Sequence, residues 1–211
     1  MKIVLLLLSS LAFSQAGSIY FLKGDVFVNG VKVNKGQILN VKDQVRTGKD
    51  ALVILSLKPA TKIKLKALTQ FNIEEIRKTK STTSFRYFLK TGEAFVRAHR
   101  SKRNRYNVRT KHATMGVRGT QFFISTKESK GSKDWMCVDE GRVEVKVNET
   151  KGFVLVEAGE GVAISRSKLP SVKKYKWTQK LNWNFEGDYN SVKDNTNIQN
   201  INYNLEDVEY E

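Results

Sequence analysis

The sequence predicts an all-β domain, a two-layer β-sandwich or a β-roll, followed by a polar acidic C-terminal tail. Three observations predict it. From Gly17 to about Ser165 the chain is a series of short β-branched and aromatic runs separated by glycine-containing turns. Two runs alternate: Ile63 and Leu65 with Lys62, Lys64 and Lys66, and Val143, Val145 and Val147 with Arg142, Glu144 and Lys146, so each sets one face on a core and one on solvent. Ala51-Leu52-Val53-Ile54-Leu55 does not alternate and reads as a central strand buried on both faces.

Met1-Lys2 is a short basic start, followed by an apolar run from Ile3 to Phe13 and by Ser14-Gln15-Ala16. This pattern is that of a cleavable signal peptide, residues 1–16, and the run is shorter than the ~20 residues of a membrane span. Ser14 and Ala16 supply the small residues that a signal peptidase needs, so the mature chain is expected to start at Gly17. The single cysteine, Cys137, lies far from that point, so no thiol there can carry a lipid anchor. A soluble periplasmic or secreted protein without a stable transmembrane anchor is expected. One cysteine cannot form an internal disulfide, and in Trp135-Met136-Cys137-Val138 it reads as a small buried hydrophobe.

Within the β-domain, residues 17–165, four hairpins are predicted. Asn29-Gly30 between Val26–Val28 and Val31–Val33 is a type I′ signal. The others are Phe85–Lys90 with Glu93–Arg97 around Thr91-Gly92, Asp134–Val138 with Arg142–Val147 around Asp139-Glu140-Gly141, and Phe153–Glu157 with Val162–Ser165 around Gly159 and Gly161. The segment Ala67–Lys78 carries Leu68, Phe71, Ile73 and Ile76 at a mixed spacing that suits either a helix or a strand. Residues 166–184 read as a docking segment, with Trp177 and Leu181 on one helical face. Residues 185–211 hold seven acidic residues, one lysine and six asparagines, and read as a disordered acidic tail.

The formal charge of +16 is therefore uneven: residues 17–184 hold 35 basic and 14 acidic residues, or +21, against −6 for the tail. The densest stretch is Arg97, Arg100, Lys102, Arg103, Arg105, Arg109 and Lys111, with no acidic residue among them and both histidines, His99 and His112, close by. In an extended strand Arg103, Arg105, Arg109 and Lys111 fall on one side, which makes a ridge suited to an anionic partner or to the protein's own tail. Tyr106 lies among them as a stacking residue. Export and the lack of interleaved aromatics disfavour nucleic acid. The histidines are thirteen apart with no cysteine or carboxylate at ligand spacing, so no metal site is predicted. No nucleophile elbow, zincin or P-loop motif is present, and the pairs Glu74-Glu75 and Asp139-Glu140 are adjacent residues, poorly arranged as acid and base. No catalytic residue and no cofactor is assigned. A wall-modifying enzyme and an extracellular nucleic-acid binder remain the competing classes.

The most specific stretch is Gly116-Val117-Arg118-Gly119-Thr120-Gln121-Phe122. From the residues alone, Arg118 between two glycines reads as turning inward to tie strand-end carbonyls or a carboxylate such as Glu93, Asp139 or Glu140. This stretch resembles the signature of the FecR domain family, and Gly116, Val117, Arg118, Gly119, Thr120 and Phe122 are its structural core. Agreement extends to Gly24-Asp25-Val26, to Gln44-Val45-Arg46-Thr47-Gly48, to Gly92 and to Asp139-Glu140-Gly141-Arg142-Val143, about Gly24 to Ile164 in all. Two loops depart from the family pattern, at Lys111 and at Lys58-Pro59-Ala60-Thr61. The resemblance implies an envelope protein. Its best-known members are sigma-factor regulators with a cytoplasmic anti-sigma segment and a transmembrane helix, both expected to be missing here because a cleavable signal precedes the domain. The expectation is an exported, non-catalytic binding module. Its expected partner is an envelope protein or an anionic polymer such as peptidoglycan, met through strand edges or the basic ridge.

Overall fold

The computed structural model describes residues 14–127, 133–175, 178 and 180–192. In chain order its strands are β1 (Gln15–Lys23), β2 (Val26–Val28), β3 (Val31–Lys32), β4 (Ile38–Asn40), β5 (Gln44–Thr47), β6 (Leu52–Leu57), β7 (Thr61–Leu65), β8 (Gln70–Lys78), β9 (Thr83–Ala98), β10 (Asn104–Arg109), β11 (Ala113–Val117), β12 (Thr120–Thr126), β13 (Asp134–Glu140), β14 (Arg142–Val147), β15 (Val154–Glu157), β16 (Glu160–Ile164) and β17 (Val172–Lys174). A short helix, α1 (Tyr189–Val192), follows. Among these residues no helix is long and apolar enough to cross a membrane.

The strands form two layers. Sheet I has the order β4-β1-β6-β7-β9-β12-β13-β16-β17. Sheet II has the order β3-β2-β5-β8-β9-β10-β11-β14-β15. The long strand β9 belongs to both. Alternation builds the core between them: Val53, Leu55, Ile63, Val96, Phe122, Ile124 and Met136 of sheet I meet Phe71, Ile73, Tyr87, Val108, Met115, Val143 and Val145 of sheet II. The all-β class and the doubly buried β6 follow the sequence expectation. The open segment 67–78 is strand β8, because Phe71 and Ile73 fill the core while its backbone pairs with β9 and β5.

Of the four predicted hairpins only the first forms as such: Asn29 and Gly30 both have positive φ, 52° and 84°, and β2 pairs with β3. Residues 85–97 are instead one strand that passes from sheet II to sheet I. Gly92 (φ 98°) is required there because a Cβ would come within 2.5 Å of Thr69 Cα, and Thr69 Oγ1 accepts a hydrogen bond from Glu93 N. The pairs β13/β14 and β15/β16 are arches from one layer to the other, since each strand takes its partners in its own sheet. A glycine reversal announces a change of direction, not which backbone the returning strand will pair with.

β1 begins at Gln15, with Gln15 paired to Asn40 and Ala16 buried. The expected cleavage after Ala16 would thus remove the first two residues of this strand; residues 1–13 lie outside the described residues.

The outer face of sheet I is also apolar, through Leu52, Ile54, Phe95, Phe123, Trp135 and Cys137, and residues 180–192, with Tyr175, form a strap across it. Tyr175, Leu181 and Phe185 cover it, and Trp183 sits edge-on to Phe95 at 5.2 Å. The alternation pattern puts Lys64 on this face as a solvated lysine; it is fully buried. Its ammonium donates to the carbonyls of Asn182 and Asn184 and lies 4.3 Å from the Phe95 ring centre. Of the segment expected as a tail, residues 185–192 are placed against the domain: Phe185 is completely buried and Ser191 accepts from Gly187 N, while residues 193–211 lie outside the described residues. Trp177, expected to dock with Leu181, also lies outside them, and Leu181 is buried.

Candidate anion-binding face

β10 lies parallel to the first half of β9, with Arg105 opposite Ser84, Asn107 opposite Arg86 and Arg109 opposite Phe88. Its alternation sends Tyr106 and Val108 into the core and leaves Arg105 outward. Tyr106 is thus no external stacking platform; its ring stacks on Phe85 at 5.1 Å. The lower end of the ridge is neutralised internally. Arg109 donates to Glu74 at 3.1 Å and Arg86 pairs with Glu75 at 3.0 Å, which commits that carboxylate pair to ion pairs. Arg100, Lys102, Arg103, Arg105 and Lys111 are exposed, and their side chains have no hydrogen bond or ion pair among the described residues.

Arg97 does not join them. It lies on the outer face of sheet I, where Nε donates to Gln121 Oε1 at 2.5 Å and Nη2 to the Trp183 carbonyl at 3.2 Å. Its guanidinium stands 4.5 Å from the Phe185 ring centre and 3.6 Å from Glu186. Arg97 therefore clamps the strap, and Glu186 is the one acidic residue of the expected tail that reaches a ridge residue among those described.

The signature divides by direction. Val117, Thr120 and Phe122 are buried, and Gly119 (φ 66°) has no room for a side chain, since a Cβ would lie 2.6 Å from Arg100 Cβ. Gly116 meets no such limit, because a Cβ there would be 3.8 Å from Glu144 Cβ. Arg118 does not turn inward. It is exposed, without an internal partner among the described residues, and it lines an open cavity with Arg100, Arg142 and Glu157. Two of the three carboxylates expected to hold it are engaged elsewhere: Glu93 with Lys66 at 2.9 Å, and Asp139 with Gln121 Nε2 at 2.6 Å.

His99 is exposed, as its basic setting suggests, but His112 is buried. Its Nδ1 lies 3.1 Å from Oδ1 of fully buried Asp134, which also accepts from Thr110 and Thr126 hydroxyls at 2.5 Å each. This polar knot ties the β10–β11 turn to the start of β13. Among the described residues no group of three or more His, Cys, Asp and Glu side chains is placed to hold a metal. Burial, with the Asp139 carboxylate second, pushes the Cys137 thiol well above its ordinary value.

The FecR family model ("FecR protein") matches residues 43–149, half of the 211-residue chain. The chain belongs to the FecR family. The match covers the strands from β5 to β14 and contains the whole signature. Two crystal structures, each described as "a putative anti-sigma factor from Parabacteroides distasonis ATCC 8503", are similar to this FecR chain. They are 20% and 19% identical, with TM-scores of 0.50 and 0.51, and the likeness covers 63% of this chain and 58% of each of theirs. At that identity the likeness extends to the fold, and the chain matches little more than half the length of these neighbours. No curated protein matches the FecR chain in sequence.

Proposed function

We propose that this FecR chain is an exported, non-catalytic binding module of a bacterial envelope that holds a protein or an anionic envelope polymer through the basic face around β10. The observation that carries this reading is the set of five exposed basic side chains, Arg100, Lys102, Arg103, Arg105 and Lys111, without a partner among the described residues and beside a face that neutralises Arg109 and Arg86. A rigid β scaffold holds these charges at no folding benefit to the domain itself. Such a surface attracts anions over a Debye length of about 10 Å at 0.1 M salt. The secretory pattern of the first sixteen residues and the envelope association of FecR proteins support the compartment.

Sedimentation with purified peptidoglycan sacculi tests the reading. The chain is expected to co-sediment at about 0.05 M salt and to be released several-fold at about 0.3 M. Replacing Arg103, Arg105 and Lys111 by Gln should abolish most of the retention. Equal retention of the triple variant, or retention indifferent to salt, would refute the basic face as the contact.

A further inference from the structure

We propose that the cavity between Arg100, Arg118 and Arg142 is a receptor for a phosphoryl group carried by the module's ligand. The inference rests on the reading of the domain as a binding module, and it adds a second point of recognition at a rim of the sandwich, apart from the β10 face.

Three layer-to-layer connections meet at this rim. The first carries Arg100 from β9 to β10, the second carries Arg118 and Gly119 from β11 to β12, and the third carries Gly141 from β13 to β14. They pack backbone on backbone. A Cβ on Gly119 would lie 3.0 Å from Arg100 Cα, and a Cβ on Gly141 (φ 82°) would lie 2.5 Å from the Gly119 carbonyl oxygen. The backbones that bear the arginines are therefore fixed relative to one another. Val117 pairs with Val143 at the end of the β11–β14 ladder, so Arg118 and Arg142 both adjoin that last pair. Like charges in that arrangement disfavour folding.

Little among the described residues offsets this. Arg100 and Arg118 have no hydrogen bond or ion pair among the described residues. Glu157 is the one carboxylate lining the cavity; it stands 3.8 Å from Arg142 with the two side chains 64% and 60% exposed, a pair too loose and too solvated to neutralise three guanidinium groups. The cavity has a volume of about 550 Å³ and opens to solvent. Each guanidinium presents a planar fork of donors matched to oxyanions. A carboxylate is planar and is satisfied by one fork, whereas a tetrahedral phosphoryl group accepts donors from several directions at once. Three forks, two carried on separate connections and the third on the first residue of β14, fit the second geometry.

The test is a heteronuclear NMR titration of the full chain at constant ionic strength, with inorganic pyrophosphate as the free-phosphate probe and phosphatidylglycerol vesicles as the phosphodiester probe. Citrate and phosphatidylcholine vesicles serve as controls. Saturable shifts confined to Arg100, Arg118, Gly119, Gly141 and Arg142 are expected with the phosphate-bearing probes, and the arm that binds more tightly identifies the source. Arg118→Gln with Arg142→Gln should weaken binding about tenfold or more. Arg118→Lys, which keeps the charge and loses the fork, should weaken it severalfold. Lys35→Gln with Lys49→Gln, exposed lysines that do not line the cavity, should leave it within about twofold. Dispersed spectra of each variant report that it is folded. No saturable shift at the rim, citrate binding as tightly as pyrophosphate, or equal loss in the Lys35/Lys49 variant would overturn the proposal. If sacculi retention persists while the rim stays silent, the rim inference fails and the binding-module reading stands.

Discussion

Replacing Phe185 by Ala tests how the second apolar face of sheet I is held. Phe185 is completely buried between the Lys64 and Arg97 side chains, and it covers a cluster that includes Cys137. Truncating a buried Phe costs about 3–5 kcal/mol. The strap contributes nothing to the core between the sheets, so the loss falls on strap attachment, and 3 kcal/mol corresponds to an opening equilibrium shifted about 100-fold. Cys137 reports the opening. With the strap closed the thiol is buried and held protonated, so it reacts slowly with a thiol reagent. In Phe185→Ala, labelling under native conditions should accelerate by about 100-fold, capped by full detachment, while the main unfolding transition moves little. By contrast Phe122→Ala, between the sheets, should lower that transition directly. Labelling of Phe185→Ala within about twofold of the parent would show that Cys137 becomes accessible only by global unfolding, and would refute the separation of strap from core.

Four further outcomes follow from the same geometry. Gly92→Ala should destabilise the domain by about 2–4 kcal/mol in denaturant unfolding, since it adds left-handed strain to a clash with the Thr69 backbone. Asp134→Ala strips the partner from Thr110, Thr126 and His112 and should cost about 3–5 kcal/mol by the same measurement; Asp134→Asn should cost less. Stability should fall as pH rises past about 8.5, where the thiol of the unfolded chain ionises and buried Cys137 stays neutral, and Cys137→Ala should remove that component of the alkaline slope. Finally, Ala12 and Ser14 offer the same small-residue spacing as Ser14 and Ala16, and a cut after Ser14 would spare β1. If the chain is processed as its first residues predict, N-terminal mass spectrometry should therefore find Gln15 first, and a Gly17 terminus would contradict this.

Alternation was readable wherever one residue set faces the inter-sheet core, as in Ile63 and Leu65 or Val143, Val145 and Val147. Strand partners were less readable. Gly92, Gly141 and Gly159 mark reversals, but whether the chain returns beside itself or in the other layer depends on pairings far along the sequence, such as β12 with β9. Lys64 and Phe185 were misplaced for a related reason: sheet I has a second covered face, and its cover comes from a polar segment more than a hundred residues away. At the candidate site the outward set of β10 follows directly from period-two spacing. The rim cavity was not visible, because Arg100, Arg118 and Arg142 are brought together only by three stacked arches. The glycines beside two of them, Gly119 and Gly141, were the sequence signal of that close approach.

Binding of an anionic envelope component through the basic side chains is open to site-specific photo-cross-linking in intact cells, with the reactive group at position 105 on the basic face or at position 174 on β17 of sheet I. A discrete adduct from position 105 that fades as salt is raised is expected, with much weaker capture from position 174. Strong capture from position 174 with none from position 105 would refute the basic face as the contact.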